Sequence, residues 1–282
     1  MGRRTGIFSV EYFPPRSVEG EKKLLDVHSE LSTLEPEFFS VTYGAGGSTR
    51  VGTLNTVMNL KATGSAVAPH LSFGNSDEAE LIGLLEQYRQ AGIHRLVALR
   101  GDIPSGMGSG FQYRYASELV EFIRKNTGDH FHIDVACYPE IHPQANSYDE
   151  DIDYFKQKID AGANSAITQY FYNIDAYWYF IEQCQAQGIE VPIVPGIMPI
   201  TNFTKLAKFS SSCGAEIPRW IKRKLEYFGD DTQSLRQFGV ETVSRLCERL
   251  LEQGAPGLHF YSMNQSRAVM AIWKNLSLSN SN

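Results

Sequence analysis

Short apolar, β-branched or aromatic runs alternate along the chain with longer stretches whose apolar residues recur three and four positions apart. The first pattern is that of a strand, and the second that of a helix buried along one stripe. Strand-like runs cover Gly6 to Phe13, Phe38 to Gly44, Ser65 to Phe73, His94 to Arg100, Phe131 to Tyr138, Ser165 to Phe171, Val191 to Ile197 and Leu258 to Ser262. Helical spacing fills Glu19 to Leu34, Thr53 to Ala62, Asp77 to Ala91, Ala116 to Lys125, Asp149 to Ala161 and Asp175 to Gln187, then a pair around Thr204 to Lys224 and Ser234 to Gln253. Such alternation predicts a parallel sheet with helices outside it. Eight strand–helix units in one chain predict an α/β fold of the (β/α)8 TIM-barrel type, a single domain over residues 1–276. No GxGxxG follows the first strand, which argues against an open dinucleotide-binding sheet. The polar tail 277–282 is expected to be disordered.

In such a barrel the reacting groups sit at the C-terminal ends of the strands. Side chains alternate between faces, so Phe8, Val10 and Tyr12 share the helix-packed face of the first strand and Ser9 and Glu11 point into the barrel. The same parity sends Ser40 and Thr42 inward from the second strand, Arg100 from the fourth, Asp134, Ala136 and Tyr138 from the fifth, and His259 and Tyr261 from the last. Polar residues are thereby expected to gather at one end. An inward carboxylate is costly unless paired or protonated, which suits Glu11 to general-acid work. The plainer alternative is a structural ion pair with a residue such as Arg100.

Composition narrows the classes. The chain has 282 residues, 42% hydrophobic and 21% charged, with a formal net charge of -6. It has ample material for a core and no basic excess for nucleic acid or an anionic membrane. Four cysteines lie far apart without CxxC spacing, and no secretion signal or apolar run of membrane-spanning length is present, so a cytoplasmic protein with free thiols is expected.

Two loops make backbone demands. Tyr43 to Thr49 carries Gly44, Gly46 and Gly47, which permit positive φ or close approach to a ligand. After the fourth strand comes Arg100-Gly101-Asp102-Ile103-Pro104, placing an arginine and an aspartate at the mouth before the glycine-rich Ser105 to Gly110. Arginine suits a phosphate and aspartate suits a ring N–H. The histidines His70, His130, His132, His142 and His259 lie near strand ends, but no acidic or thiol partner shows ligand spacing, and no metal is expected. A Schiff-base barrel would need a lysine on a strand. None is predicted there, since Lys156 and Lys158 fall on a helix.

The segments Val10–Arg16, Val41–Thr49, Ala68–Leu71, Ala98–Pro104, Tyr138–Pro143, Lys158–Ala163, Ile167–Phe171, Pro195–Ile200 and His259–Tyr261, taken in this order, resemble methylenetetrahydrofolate reductase, in its short bacterial form. The resemblance spans nearly the whole chain. It implies an FAD-containing barrel that reduces 5,10-methylenetetrahydrofolate with NADH or NADPH, feeding methyl groups to methionine synthesis. It also implies a homo-oligomer in the cytoplasm. By resemblance, Glu11 matches the general acid and Asp102 the aspartate beside flavin and pterin. Thr42, His70, Arg100, Gly101, Asp102, Ala116, Tyr138, His142, Asp151 and Lys158 match positions lining FAD. Gln169 and Phe209, with Asp102, match substrate-contacting positions. Two positions depart from the family pattern: Gln265 stands where an arginine is common, and Lys205 where some members have an amide. The rival reading is a non-catalytic flavin- or folate-binding barrel subunit, against which the joint presence of Glu11, Asp102 and Gln169 argues.

Overall fold

The computed structural model describes residues 6–43, 50–73, 78–101 and 115–278. Nine parallel strands alternate with helices: β1 (Ile7–Tyr12), α1 (Val18–Ser32), β2 (Phe38–Val41), α2 (Arg50–Ala62), β3 (Val67–Leu71), α3 (Glu78–Gln90), β4 (Arg95–Ala98), α4 (Ala116–Thr127), β5 (His132–Cys137), α5 (Tyr148–Asp160), β6 (Ser165–Thr168), α6 (Ile174–Ala186), β7 (Ile193–Val194), β8 (Gly196–Ile197), α7 (Phe203–Cys213), α8 (Arg219–Phe228), α9 (Thr232–Glu252), β9 (Gly257–Tyr261) and α10 (Arg267–Asn275). The strand order is β7-β6-β5-β4-β3-β2-β1-β9-β8. The expected α/β barrel is therefore present as a single-domain, nearly closed TIM-type barrel.

The predicted seventh strand is split. Pro195 has no N–H to give to a ladder, so β7 pairs with β6 and β8 with β9 on either side of it. The Pro195 carbonyl still accepts from the His259 amide at 3.0 Å, which draws the two halves of the ring together. The segment Thr204 to Lys224 likewise holds two helices. Gly214 ends α7 in the left-handed region at φ 77°, and Pro218 opens α8. Helix α10 was not foreseen. It lays the fully buried Trp273 against Phe8 and Phe260, with ring centroids 5.4 and 5.8 Å apart.

Two apolar shells follow from strand parity. Phe8, Val10, Phe39, Val41, Leu71, Ile133 and Val135 face the helices, while Phe38, Ala68, Val97 and Ile167 meet inside the barrel with Ile7 and Leu99 against them. The parity predicted for the fourth strand is thereby corrected. Val97 and Leu99 point inward, whereas Arg100 lies past the end of β4 and donates to the side-chain oxygen of Gln144. Asp134 corrects the expectation of a single polar end. It is buried near the starts of the strands, held by Arg95 Nε at 2.7 Å and Nη2 at 3.1 Å and by the Ser165 hydroxyl. Arg95 also reaches Glu37 Oε1 at 2.6 Å and covers the Phe38 ring at 4.0 Å. His132 Nε2 lies 2.6 Å from the Ser165 hydroxyl, whereas His130 Nε2 lies 3.0 Å from the Ile93 carbonyl. The two histidines of this HxH pair thus serve separate contacts.

Helix α9 carries Gly239 because the loop after β8 runs against it. A Cβ there would stand 2.2 Å from the Ile200 carbonyl oxygen and 2.9 Å from Ile200 Cβ. Overpacking of this kind costs about 1–3 kcal/mol, against about 1 kcal/mol that alanine gains in helix propensity. A Cβ at 2.2 Å from a backbone oxygen calls for the upper end of that cost, so Gly239→Ala is expected to lose about 2 kcal/mol net in urea unfolding. A midpoint equal to or above that of the parent would show that this contact yields freely.

Candidate functional site

The C-terminal end of β1 delivers Glu11 to the barrel mouth, where its carboxylate is 18% exposed. Its Oε2 lies 3.5 Å from His70 Nε2 on β3 and 3.6 Å from His259 Nε2 on β9. Both histidines are buried, and neither Nε2 has another partner among the described residues. His259 Nδ1 lies 2.7 Å from the hydroxyl of Ser9, two residues before Glu11. Burial, the largest influence on His70, holds its pKa below the ordinary histidine value, with Glu11 acting in the opposite direction. A neutral His70 can present Nε2 to the carboxyl group either as donor or as acceptor. The ion pair foreseen between Glu11 and Arg100 is therefore replaced by contacts to two histidines.

A second group of polar residues lies beside this centre on the loops after β3, β4 and β5. Gly101 takes φ 81°, and a Cβ on it would meet the Ser72 side chain at 2.9 Å, so only glycine lets these two loops close up. Arg100 is bridged through Gln144, whose amide donates to His142 Nδ1 at 3.1 Å. The His142 amide in turn donates to Asp151 Oδ2 at 2.8 Å, and the His142 ring meets Tyr138 edge to face at 4.5 Å. Ile141 precedes it at φ 67°, a costly conformation for a β-branched residue. From α5, Lys158 donates to the Ala136 carbonyl at 2.6 Å. Burial lowers the pKa of Lys158 while Cys137 and Asp151 pull it upward. Burial lowers that of His142 as well and raises that of Asp151. Arg100, His142 and Lys158 thus offer N–H donors from the loops after β4 and β5 and from α5, where Asp151 and Gly101 fix the loop backbone. This donor set fits an anionic, hydroxyl-rich ligand. Thr42 directly follows β2, its amide donating to the Tyr12 carbonyl and its carbonyl accepting from the Thr53 hydroxyl, and Ala116 is the first residue of α4.

The opposite rim is aromatic. Phe209, 43% exposed on α7, stacks on Tyr170 at 5.9 Å, and Tyr170 meets Tyr261 edge to face at 6.3 Å. Tyr261 pairs in register with Glu11 and donates to the Thr168 carbonyl at 2.7 Å. Gly196 makes room for it, since a Cβ there would fall 2.2 Å from the Thr168 carbonyl and 2.6 Å from the Tyr261 ring. Gln169 directly follows β6, its amide donating to the Cys137 carbonyl at 2.8 Å and its side-chain oxygen accepting from the Tyr170 amide at 3.0 Å.

Glu11, Thr42, His70, Arg100, Gly101, Tyr138, His142, Asp151, Lys158, Gln169 and Phe209 are thus carried on strand ends, following loops or helices around one mouth. Ala116 borders it. Asp102, the glycines Gly44, Gly46 and Gly47, and Ser105 to Gly110 lie outside the described residues. The partnership of His259 with Glu11 and the bridge through Gln144 were not foreseen. The inward parity of His259 was the available signal for the first, and no spacing announced the second.

Comparison with known proteins gives this geometry a family. The family model described as methylenetetrahydrofolate reductase matches residues 2–277. The 5,10-methylenetetrahydrofolate reductase of Buchnera aphidicola is 40% identical over 266 residues, covering 94% of this chain and 89% of that protein. The protein of the same name from Escherichia coli is 39% identical over 271 residues, covering 96% and 90%. A solved structure of an uncharacterized Clostridium thermocellum protein, described as binding two copies of 5-methyl-5,6,7,8-tetrahydrofolic acid, shares the fold with a TM-score of 0.65 at 18% identity, covering 98% of this chain and 94% of that one. The chain belongs to the methylenetetrahydrofolate reductase family.

Proposed function

We propose that the protein reduces 5,10-methylenetetrahydrofolate to 5-methyltetrahydrofolate at the expense of NADH or NADPH, through a non-covalently held FAD, and so supplies methyl groups for methionine synthesis. The observation that carries this reading is the Glu11 carboxylate set between two buried histidines at the barrel mouth, flanked by a donor-rich stretch on one side and an aromatic rim on the other. Arg100, His142 and Lys158 would hold the phosphate and ribityl oxygens of FAD, with Gly101, His70, Thr42, Tyr138, Asp151 and Ala116 shaping the cradle. When bound, FAD supplies the two-electron chemistry that no side chain in the mouth can perform.

Glu11 supplies the proton that opens the bridged methylene of the folate. His70 and His259 fix the direction of its carboxyl group and keep bulk water from it. Phe209 offers a ring for an aromatic substrate to stack on, and Gln169 an amide to orient it. Asp102 follows Gly101 directly, and we assign it the hydrogen bond to the pterin. Substrate and nicotinamide share one mouth, so they enter in turn. We place the enzyme in the cytoplasm as a homo-oligomer. Among the described residues no helix is long and apolar enough to cross a membrane.

The purified protein is expected to be yellow, to release flavin on denaturation, and to bleach anaerobically with reduced nicotinamide. A protein that shows no spectral change after FAD is supplied would overturn the reading.

A further inference from the structure

Glu140 lies on the loop after β5, two residues beyond Tyr138 and two before His142. It is half-buried, and its Oε2 accepts from the Glu216 amide at 2.8 Å. Burial pushes its carboxyl up to about 7 from an ordinary 4.5, with the Glu216 amide pulling downward and the Glu216 carboxylate adding to the rise. No cation pairs with it among the described residues. A carboxylate that is this costly to charge does little for stability. Its bond to Glu216 joins segments 76 residues apart, so its worth lies in where it holds them.

The loop on the Glu140 side is anchored without it. The His142 amide donates to Asp151 Oδ2 at 2.8 Å, and the Ser147 hydroxyl caps α5 by accepting from the Glu150 amide at 3.1 Å. The Glu216 side is held more lightly. Residues 214–218 belong to neither α7 nor α8 and follow directly on the helix that carries Phe209. The buried residues of α7 are Leu206 and Ser210. The Ser210 and Tyr170 hydroxyls lie 2.8 Å apart, beside the stack of Phe209 on Tyr170. A helix pinned near one residue can still roll about that point, and a second attachment stops the roll. Glu140 supplies it through Glu216. The two backbones meet closely here, since a Cβ on Gly214 would stand 2.7 Å from Pro143 Cγ.

We propose that Glu140 is a positioning residue, which by holding the Glu216 amide fixes the roll of α7 and so presents the Phe209 ring to the aromatic ligands of the mouth. The role rests on the function proposed above. Folate and nicotinamide share the mouth, so both lose binding when the ring is displaced. The bound complexes still react, because Glu140 acts through α7 and not on Glu11.

The test is steady-state kinetics of the flavin-loaded enzyme, with methylenetetrahydrofolate and nicotinamide varied in turn. Glu140→Ala should raise KM for both roughly tenfold, as for a lost hydrogen bond to a charged acceptor, while kcat, flavin content and Tm stay close to those of the parent. Glu140→Gln keeps an oxygen for the amide and should restore both KM values. Glu216→Ala keeps its backbone N–H and should behave as the parent. In a Phe209→Ala background the loss of Glu140 should change KM no further, because the ring it positions is gone. Glu140→Asp, which keeps the charge and shortens the reach, takes the place of the alanine if that variant fails to fold. The role is overturned by parent-like KM values in Glu140→Ala, or by KM losses that add to those of Phe209→Ala. It is overturned equally by a joint fall in kcat, flavin content and Tm that glutamine does not reverse. A parent that neither holds FAD nor reduces methylenetetrahydrofolate would instead overturn the proposed function, and the role with it.

Discussion

Glu11→Gln is expected to leave a folded, flavin-loaded protein that is reduced by nicotinamide at close to the parent rate and yet reduces methylenetetrahydrofolate about 10²–10⁴-fold more slowly, the span lost with a general acid. The substitution keeps the shape of the side chain between His70 and His259 and removes its acidity. Oxidation of the nicotinamide asks for no proton at the folate, whereas opening the methylene bridge does, so the two half-reactions part company. Anaerobic stopped-flow on each half separately measures the split. If Glu11 served only to anchor His70 and His259, the loss would fall on flavin retention and stability and slow both halves together. Folate reduction at near the parent rate would remove Glu11 from the chemistry.

Asp134→Ala is expected to cost about 3–5 kcal/mol of stability, the range for removing one partner of a buried ion pair. The deletion strips Arg95 of its bidentate partner and leaves the Ser165 hydroxyl with a lost acceptor at the closed end of the barrel. Burial alone would raise the Asp134 pKa, but the bonds from His132, Arg95 and Ser165 outweigh it and bring the carboxyl down to about 2 from an ordinary 3.8. A carboxyl with a depressed native pKa stabilises the fold fully above its unfolded pKa and less as pH falls through the native one. The difference in unfolding free energy between parent and variant should therefore hold at neutral pH and shrink from about pH 4 toward pH 2. Chemical denaturation across that range checks it. A gap that stays constant down to pH 2 would mean that the charge of Asp134 is not what holds Arg95.

The barrel was legible because its two periodicities differ so plainly. Val10 and Tyr12 against Ser9 and Glu11 are enough to orient β1, and the apolar rows of the helices are long. Parity failed on β4 for a physical reason. Leu96, Val97, Ala98 and Leu99 are apolar on both faces, as strands enclosed by helices and by a filled interior tend to be, so nothing in the pattern says which face is inside. The break at Pro195 and the helix boundary at Gly214 and Pro218 were written in the residues but lay inside runs that read as continuous. The short helix α10 has too few turns for its spacing to stand out. At the site, Glu11 was found through its cost as an inward carboxylate. Its true neighbours, His70 and His259, come from strands far away in sequence, and only the strand order β3-β2-β1-β9 brings them within reach. Gln144 is more remote still from any sequence signal, since its contact to Arg100 depends on how the loop turns at Ile141.

The division of buried charge between the two rims of this barrel bears on how such a chain can diverge. The Arg95–Asp134–Glu37 clasp sits where the strands begin, and the loops after them can be rewritten without disturbing it. Descendants of this sequence could exchange residues of the loops at the mouth while inheriting the same clasp at the strand starts unchanged.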